Sequence, residues 1–253
     1  MFSPSACLAL RGRVVVRLRP LGARAPWLDH YPVILSTMPT TFTSTVANTA
    51  LGPVATRVAG SGSTVFLALP GLGRAGNKDW ERVIAASDLT SEANLTVLLP
   101  DPLSNVRTAP SLSEFAVVRT CTTLFGAVKY PCREEWLKQL LPEPSKGRCV
   151  LAGHSWGGGA AARFAVAHPE LVQKLVLVSP DVEYSVAQQL KVPTLLVWAK
   201  DDFINPFLWT RRFKGHPALT LHAPRRGGHM VQDSHVDVIA RWLRHEYDDD
   251  QTT

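Results

Sequence analysis

Five short, mostly apolar runs recur between residues 64 and 199, and they restrict the fold more than any other feature of the chain. They read TVFLAL at 64–69, LTVLL at 95–99, RCVLA at 148–152, LVLVS at 175–179 and TLLVWA at 194–199. None alternates polar with apolar residues, so each suits a strand covered on both faces, as in a parallel sheet. VATRV at 54–58, closed by the turn Gly60-Ser61-Gly62-Ser63, and the weaker LTLHA at 219–223 extend the series. Helix-length segments lie between them, at 77–86, 113–128, 134–141, 156–167, 207–213 and 236–244. Ser113 can cap the second of these, and alanine favours helix in the fourth. Strand and helix in alternation imply parallel strands joined by right-handed crossovers. The expected fold is therefore α/β, a mostly parallel central sheet with helices on both faces, over residues 51–247.

Residues 1–50 are set apart from that domain. Arg11, Arg13, Arg17, Arg19 and Arg24 precede the first acid, Asp29, and Ser/Thr-rich text follows Ser36. This composition suits an organelle transit peptide, which would place the protein in a mitochondrion or plastid. The alternative is an extension without an address, on a cytoplasmic protein. Residues 248–253 form an acidic tail. The whole chain carries +6, residues 1–28 carry +5, and the remainder is left with +1. Such a body has no basic stripe for nucleic acid. No run approaches the roughly 18 apolar residues of a membrane span, so no stable membrane insertion is expected. Cys7, Cys121, Cys132 and Cys149 form neither a C-x-x-C pair nor a zinc spacing, so they read as free thiols with no metal role.

One serine interrupts this pattern. In RCVLAGHSWGGGAAARFA, an apolar run stops at Gly153, and a Gly- and Ala-rich helix begins after Ser155. In an open α/β sheet, ligands sit beyond the carboxyl ends of the strands, where Ser155 lies. Gly153-His154-Ser155-Trp156-Gly157 is a G-x-S-x-G sequence. Its glycines let strand and helix approach around a sharply turned serine, leaving the hydroxyl at a helix N-terminus. On composition alone the bare motif would occur in roughly one chain in ten of this length, so its strand and helix flanks carry the argument.

A serine needs a base, an orienting acid and donors for the oxyanion. His229, in Gly227-Gly228-His229-Met230, follows the last strand on a glycine loop and is the base candidate. His154 would point away from the serine, His168 ends a helix beside Pro169, and His222 and His235 can be satisfied locally. Asp202 is the acid candidate, just beyond TLLVWA, with Asp201 and Asp181 as competitors. The backbone N–H groups of Leu72, in the turn Pro70-Gly71-Leu72-Gly73, and of Trp156 are the oxyanion donors. Phe203, Phe207, Trp209, Leu72, Trp156 and Met230 are candidate pocket lining, and each is equally a core or surface candidate.

Ser155, Asp202 and His229 occur in the chain order of the α/β-hydrolase superfamily, and the resemblance runs from about Val54 to Tyr247. VATRVAGSGSTVFLALPG resembles its opening strands and oxyanion loop. AGHSWGGGAAARFAVAHPELVQKLVLVSP resembles its nucleophile elbow and the following strand. KVPTLLVWAKDDFINP resembles its acid segment, whose spacing selects Asp202 over Asp201, and GGHM its histidine loop. Two departures stand out. Pro70 replaces the usual histidine before Gly71, and only Ser179–Pro193 fill the place of the helical cap, so no cap domain is expected. The resemblance implies a serine hydrolase without cofactor, cleaving an ester or thioester of a small acyl substrate through an acyl-enzyme on Ser155. A serine there speaks against the dehalogenase and epoxide-hydrolase branches, which use aspartate. An acyltransferase and a non-catalytic binding or scaffold protein on the same fold are the other readings.

Overall fold

A computed structural model of the chain describes residues 40–49, 52–72, 77–87, 94–102, 134–141 and 149–244. They fall in one compact unit, Met38–Thr253; the other unit, Met1–Thr37, lies outside the described residues. So do the expected helix at 113–128, the tail at 248–253, and most of the segment read as a transit peptide.

Eight strands form one sheet: β1 (Thr43–Thr49), β2 (Gly52–Ala59), β3 (Thr64–Leu69), β4 (Leu95–Asp101), β5 (Cys149–His154), β6 (Val172–Val178), β7 (Thr194–Val197) and β8 (Leu219–His222). Their order is β1-β2-β4-β3-β5-β6-β7-β8. β1 with β2 and β2 with β4 are antiparallel, and every other pairing is parallel. Every strand expected from the apolar runs is present. β1 was not expected. It lies in the segment set apart as an extension, so the sheet begins at Thr43 and not at residue 51. β1 is mostly exposed and Thr/Ser-rich, so its pattern carries little hydrophobic signal; an edge strand paired on one side needs little.

The described α-helices are α1 (Lys78–Ser87), α2 (Trp156–Ala167), α3 (Tyr184–Gln189) and α4 (Val236–Leu243). Two segments read as helices, Glu134–Leu140 and Phe207–Phe213, form tighter 3-10 turns. The β6–β7 connection, where a cap would be inserted, holds only the six-residue α3.

Period-two alternation along the strands divides the core between the two faces. Leu67 and Leu69 of β3, with Leu151, Leu175, Leu177 and Leu196, pack under α2, where Phe164 is fully buried. Phe66 and Ala68, with Val97, Val150, Val176 and Val197, pack under α1 and α4 around Trp80 and Ile239. This two-sided burial is why the runs lack polar alternation. Lys174, on β6, is an exception. Its Nζ donates to the carbonyls of Trp242 (3.1 Å) and Leu243 (3.2 Å), satisfying the C-terminal end of α4. Burial pushes its pKa down.

Strand register decides what meets at the carboxyl edge. Leu69 pairs with Gly153, and His154 lies level with Val178, Val178 with Val197, and Val197 with His222. The turns after β3, β5, β6, β7 and β8 therefore leave the sheet along one edge.

Candidate active site

Ser155 follows β5 directly and has φ 52° and ψ −117°, in the left-handed region that a side chain rarely adopts. Three backbone bonds hold it there. Its N–H donates to Val178 O (2.9 Å), and its carbonyl accepts from Gly159 N (3.2 Å) and Asp181 N (2.9 Å). Ser155 precedes α2 but its side chain makes no capping bond, so the hydroxyl is not used to close the helix. The turn has no room for larger neighbours. A Cβ on Gly153 would strike the carbonyl of Gly157, and one on Gly157 would strike the carbonyls of Pro70 and Leu69. The turn after β3 thus lies directly against the elbow. A Cβ on Gly71 would stand 3.4 Å from Ser155 Cβ. Among the described residues, none accepts a hydrogen bond from Leu72 N–H, whereas Gly71 N–H donates to Asp79 Oδ2 (3.3 Å).

His229 meets Asp202. Its Nδ1 lies 3.0 Å from Oδ2 and 3.2 Å from Oδ1. The carboxylate is fully buried, 0% exposed, and the imidazole is 11% exposed. Oδ1 also accepts the N–H groups of Ile204 and Asn205, each at 2.9 Å. Burial alone would raise the Asp202 pKa. The hydrogen bond and charge of His229 and the N–H of Asn205 outweigh it and hold the carboxyl below its usual value. The Ser179 hydroxyl, buried with no partner in hydrogen-bond geometry, is close enough to favour the ionised form. Ser179 itself has φ 42°, and its carbonyl accepts from Asn205 Nδ2 (2.7 Å), which ties the acid loop to the end of β6.

The competitors have other places. Asp201 Oδ1 accepts Gly228 N–H (2.8 Å), so it holds the histidine loop instead of orienting the ring. Asp181 N–H is bound to the carbonyl of Ser155, and its charge acts on Arg212. His168 packs at a tilt against Phe164 with ring centroids 5.0 Å apart, and His222 meets His235 at 5.1 Å. The Gly227-Gly228 pair has φ 145° and 59°, a path that glycine adopts readily and that returns the chain toward Asp202. The proposed lining divides. Trp156 is buried, Phe207 and Trp209 pack against the core on the α2 face, Leu72 and Met230 are half-buried, and Phe203 is 84% exposed.

His154 makes contacts the sequence did not reveal. Its ring, 3% exposed, places Nδ1 3.1 Å from Asp79 Oδ2 and Nε2 3.0 Å from the carbonyl of His229. Its centroid is 4.8 Å from that of His229. Asp79, in the first turn of α1, is equally buried. In the sequence Asp79 is one acid of an amphipathic helix start, and nothing in its spacing marks it for the interior. Among the described residues, no group of three or more His, Cys, Asp or Glu side chains is arranged to hold a metal ion. Nor is any described helix long and apolar enough to cross a membrane.

The family model for the alpha/beta hydrolase fold matches residues 64–186, a span that includes Ser155 and stops before Asp202 and His229. Epoxide hydrolase 4 of Mus musculus is 32% identical over 76 residues, 26% of this chain and 21% of that protein. The chain thus spans about a fifth of that relative's length. Among solved structures, a predicted CIB-like hydrolase from Thermoplasma acidophilum superposes with a TM-score of 0.61 at 19% identity, covering 81% of this chain and 98% of that one. The thioesterase domain from the curacin biosynthetic pathway superposes with a TM-score of 0.58 at 15% identity, covering 81% and 99%. At these identities the likeness is one of fold.

Proposed function

We propose that this chain, which has the α/β-hydrolase fold, is a serine hydrolase that cleaves a carboxylic ester or thioester through an acyl-enzyme on Ser155. The observation that carries this reading is the buried Asp202–His229 pair at 3.0 Å, set at the same sheet edge as a strained serine whose hydroxyl caps nothing. In this reading Asp202 accepts from Nδ1–H of His229 and so leaves Nε2 free of its proton. Nε2 takes the proton of the Ser155 hydroxyl as that oxygen attacks the acyl carbon, then gives it to the leaving alcohol or thiol. Asp202 stabilises the imidazolium in between. The N–H groups of Trp156 and Leu72 receive the oxyanion. Water repeats the sequence on the acyl-enzyme and releases the acid. No cofactor or metal enters the scheme. The residue at position 155 is serine, which separates this chemistry from an aspartyl ester route of the kind the epoxide-hydrolase branch uses.

The test is covalent labelling. A fluorophosphonate should label the wild type on Ser155, and Ser155→Ala should lose both labelling and hydrolysis of p-nitrophenyl acetate. The loss in turnover should be on the order of a millionfold, as when one member of such a triad is removed. A folded wild type that resists the probe, or that hydrolyses the ester no faster than Ser155→Ala, would turn the reading toward a non-catalytic binding protein.

A further inference from the structure

The Asp79–His154 pair takes no part in the scheme above, yet it lies between the two halves of the site. Its geometry is specific. A carbonyl oxygen only accepts, so the 3.0 Å contact to His229 O requires a proton on His154 Nε2. On the other side Nδ1 faces Asp79 Oδ2 at 3.1 Å, and the same oxygen receives Gly71 N–H at 3.3 Å. One carboxylate oxygen thus stands between Gly71 N–H and the His154 ring. Both ring nitrogens of His154 therefore have a partner within hydrogen-bond distance. The carboxylate is itself well anchored. It sits in the first turn of α1, where negative charge is favoured, beside Trp80, whose indole N–H donates to Leu69 O (2.9 Å).

We propose that Asp79 and His154 are positioning residues that fasten the Pro70–Leu72 turn to the His229 loop through the elbow. The chain of contacts runs from Gly71 N–H to Asp79, from Asp79 to His154, and from His154 to the carbonyl of His229. By committing Gly71 N–H to Asp79, it fixes the peptide that precedes Leu72 and leaves Leu72 N–H for the oxyanion. Where Pro70 stands in place of the family's usual histidine, the His154 imidazole packs against the same turn. His154 fills the space behind Gly71 so closely that a Cβ there would stand 2.8 Å from Nδ1. This inference rests on the serine-hydrolase reading for its effect on rate, though not for the contacts themselves.

The experiment uses full-length Asp79→Asn and His154→Gln. One oxygen of Asp79 serves both Gly71 and His154. An amide oxygen there lacks the carboxylate's charge, and an amide nitrogen there opposes Gly71 N–H, so Asp79→Asn keeps the shape and weakens or breaks a link. Fluorophosphonate labelling and p-nitrophenyl acetate turnover should fall about a hundredfold, the loss expected when reacting groups are displaced by about 1 Å. KM should stay within about threefold, since substrate binding is not what is lost. Amide exchange at Gly71 and at 227–230 should quicken about tenfold or more. Unchanged labelling together with unchanged exchange would overturn the proposal. A wild type that does not label would defeat the hydrolase reading alone. Exchange would still decide this one, since loops protected in the wild type and opened in both variants support it. Should both variants fail to fold, nitrogen spectra of the wild-type His154 ring decide. A proton on Nε2 supports the tie, and a bare Nε2 refutes it.

Discussion

Replacing Asp202 by asparagine tests whether the carboxylate orients His229 or merely fills space. The two backbone donors, Ile204 N–H and Asn205 N–H, each 2.9 Å from Oδ1, determine which way the amide must sit. With the amide oxygen at Oδ1, both bonds survive. Turning the amide over would set its NH2 against two N–H groups and forfeit both bonds, a penalty of about 2 kcal/mol or more for buried donors. The NH2 therefore takes the place of Oδ2, 3.0 Å from His229 Nδ1. A donor now faces Nδ1, which must become the acceptor, and the ring proton moves to Nε2. That is the wrong tautomer for a base that takes the serine proton. Where the same exchange is made in serine proteases, turnover falls about ten-thousandfold, or about 5.5 kcal/mol of transition-state stabilisation. Asp202→Asn should lose a comparable factor in fluorophosphonate labelling and in kcat for p-nitrophenyl acetate, with KM little changed. Thermal melting should be followed alongside to confirm that the variant is folded. A folded Asp202→Asn protein that labels within about threefold of wild type would refute the tautomer argument.

Stability should respond to acid through the same group. Asp202 has its folded-state pKa below its usual 3.8, so its ionised form contributes stability that is fully present above that value and is lost as pH falls through the folded pKa. Denaturant unfolding at several pH values should show the stability gap between wild type and Asp202→Asn narrowing below about pH 4. The Cys149 thiol, pushed up to about 12 by burial, should resist alkylation in the native protein at pH 8, and peptide mapping should find it modified only after unfolding. Gly157→Ala should destabilise by about 1–3 kcal/mol and depress labelling, because its Cβ meets the Pro70 carbonyl and must push the oxyanion turn away from Ser155. Phe164→Ala, far from the reacting groups, should lose about 3–5 kcal/mol of stability while each folded molecule keeps its activity.

Much of this was legible in the sequence where burial on two faces leaves a simple signature. The apolar runs located β2 through β8 because strands covered by helices on both sides cannot alternate. G-x-S-x-G marked Ser155 as a candidate, the loops beyond β7 and β8 marked Asp202 and His229, and the structure brings the last two into contact. What the sequence hid has a common physical cause. β1 is an edge strand whose partner is on one side only, so Thr and Ser suffice. The 3-10 form of 207–213 reflects local hydrogen bonding that composition does not report. Asp79 and His154 are ordinary polar residues until tertiary structure puts each against the other and removes water. Asp201 and Asp202 are adjacent and alike; the family spacing points to Asp202, and the structure sets Asp202 against the His229 ring and Asp201 against Gly228 N–H.

Asp79 and His154 lie 75 residues apart, and His154 and His229 another 75. Each tie therefore closes a long loop, and such contacts form late because their entropy must be met before they contribute. The left-handed turn at Ser155 is held by bonds to β6 and to Asp181, so it too awaits the docking of later strands. A chain still being made, or one whose last third has come loose, would carry the serine without the surroundings that make it reactive. On the serine-hydrolase reading, probe labelling would then count only molecules whose loops are docked.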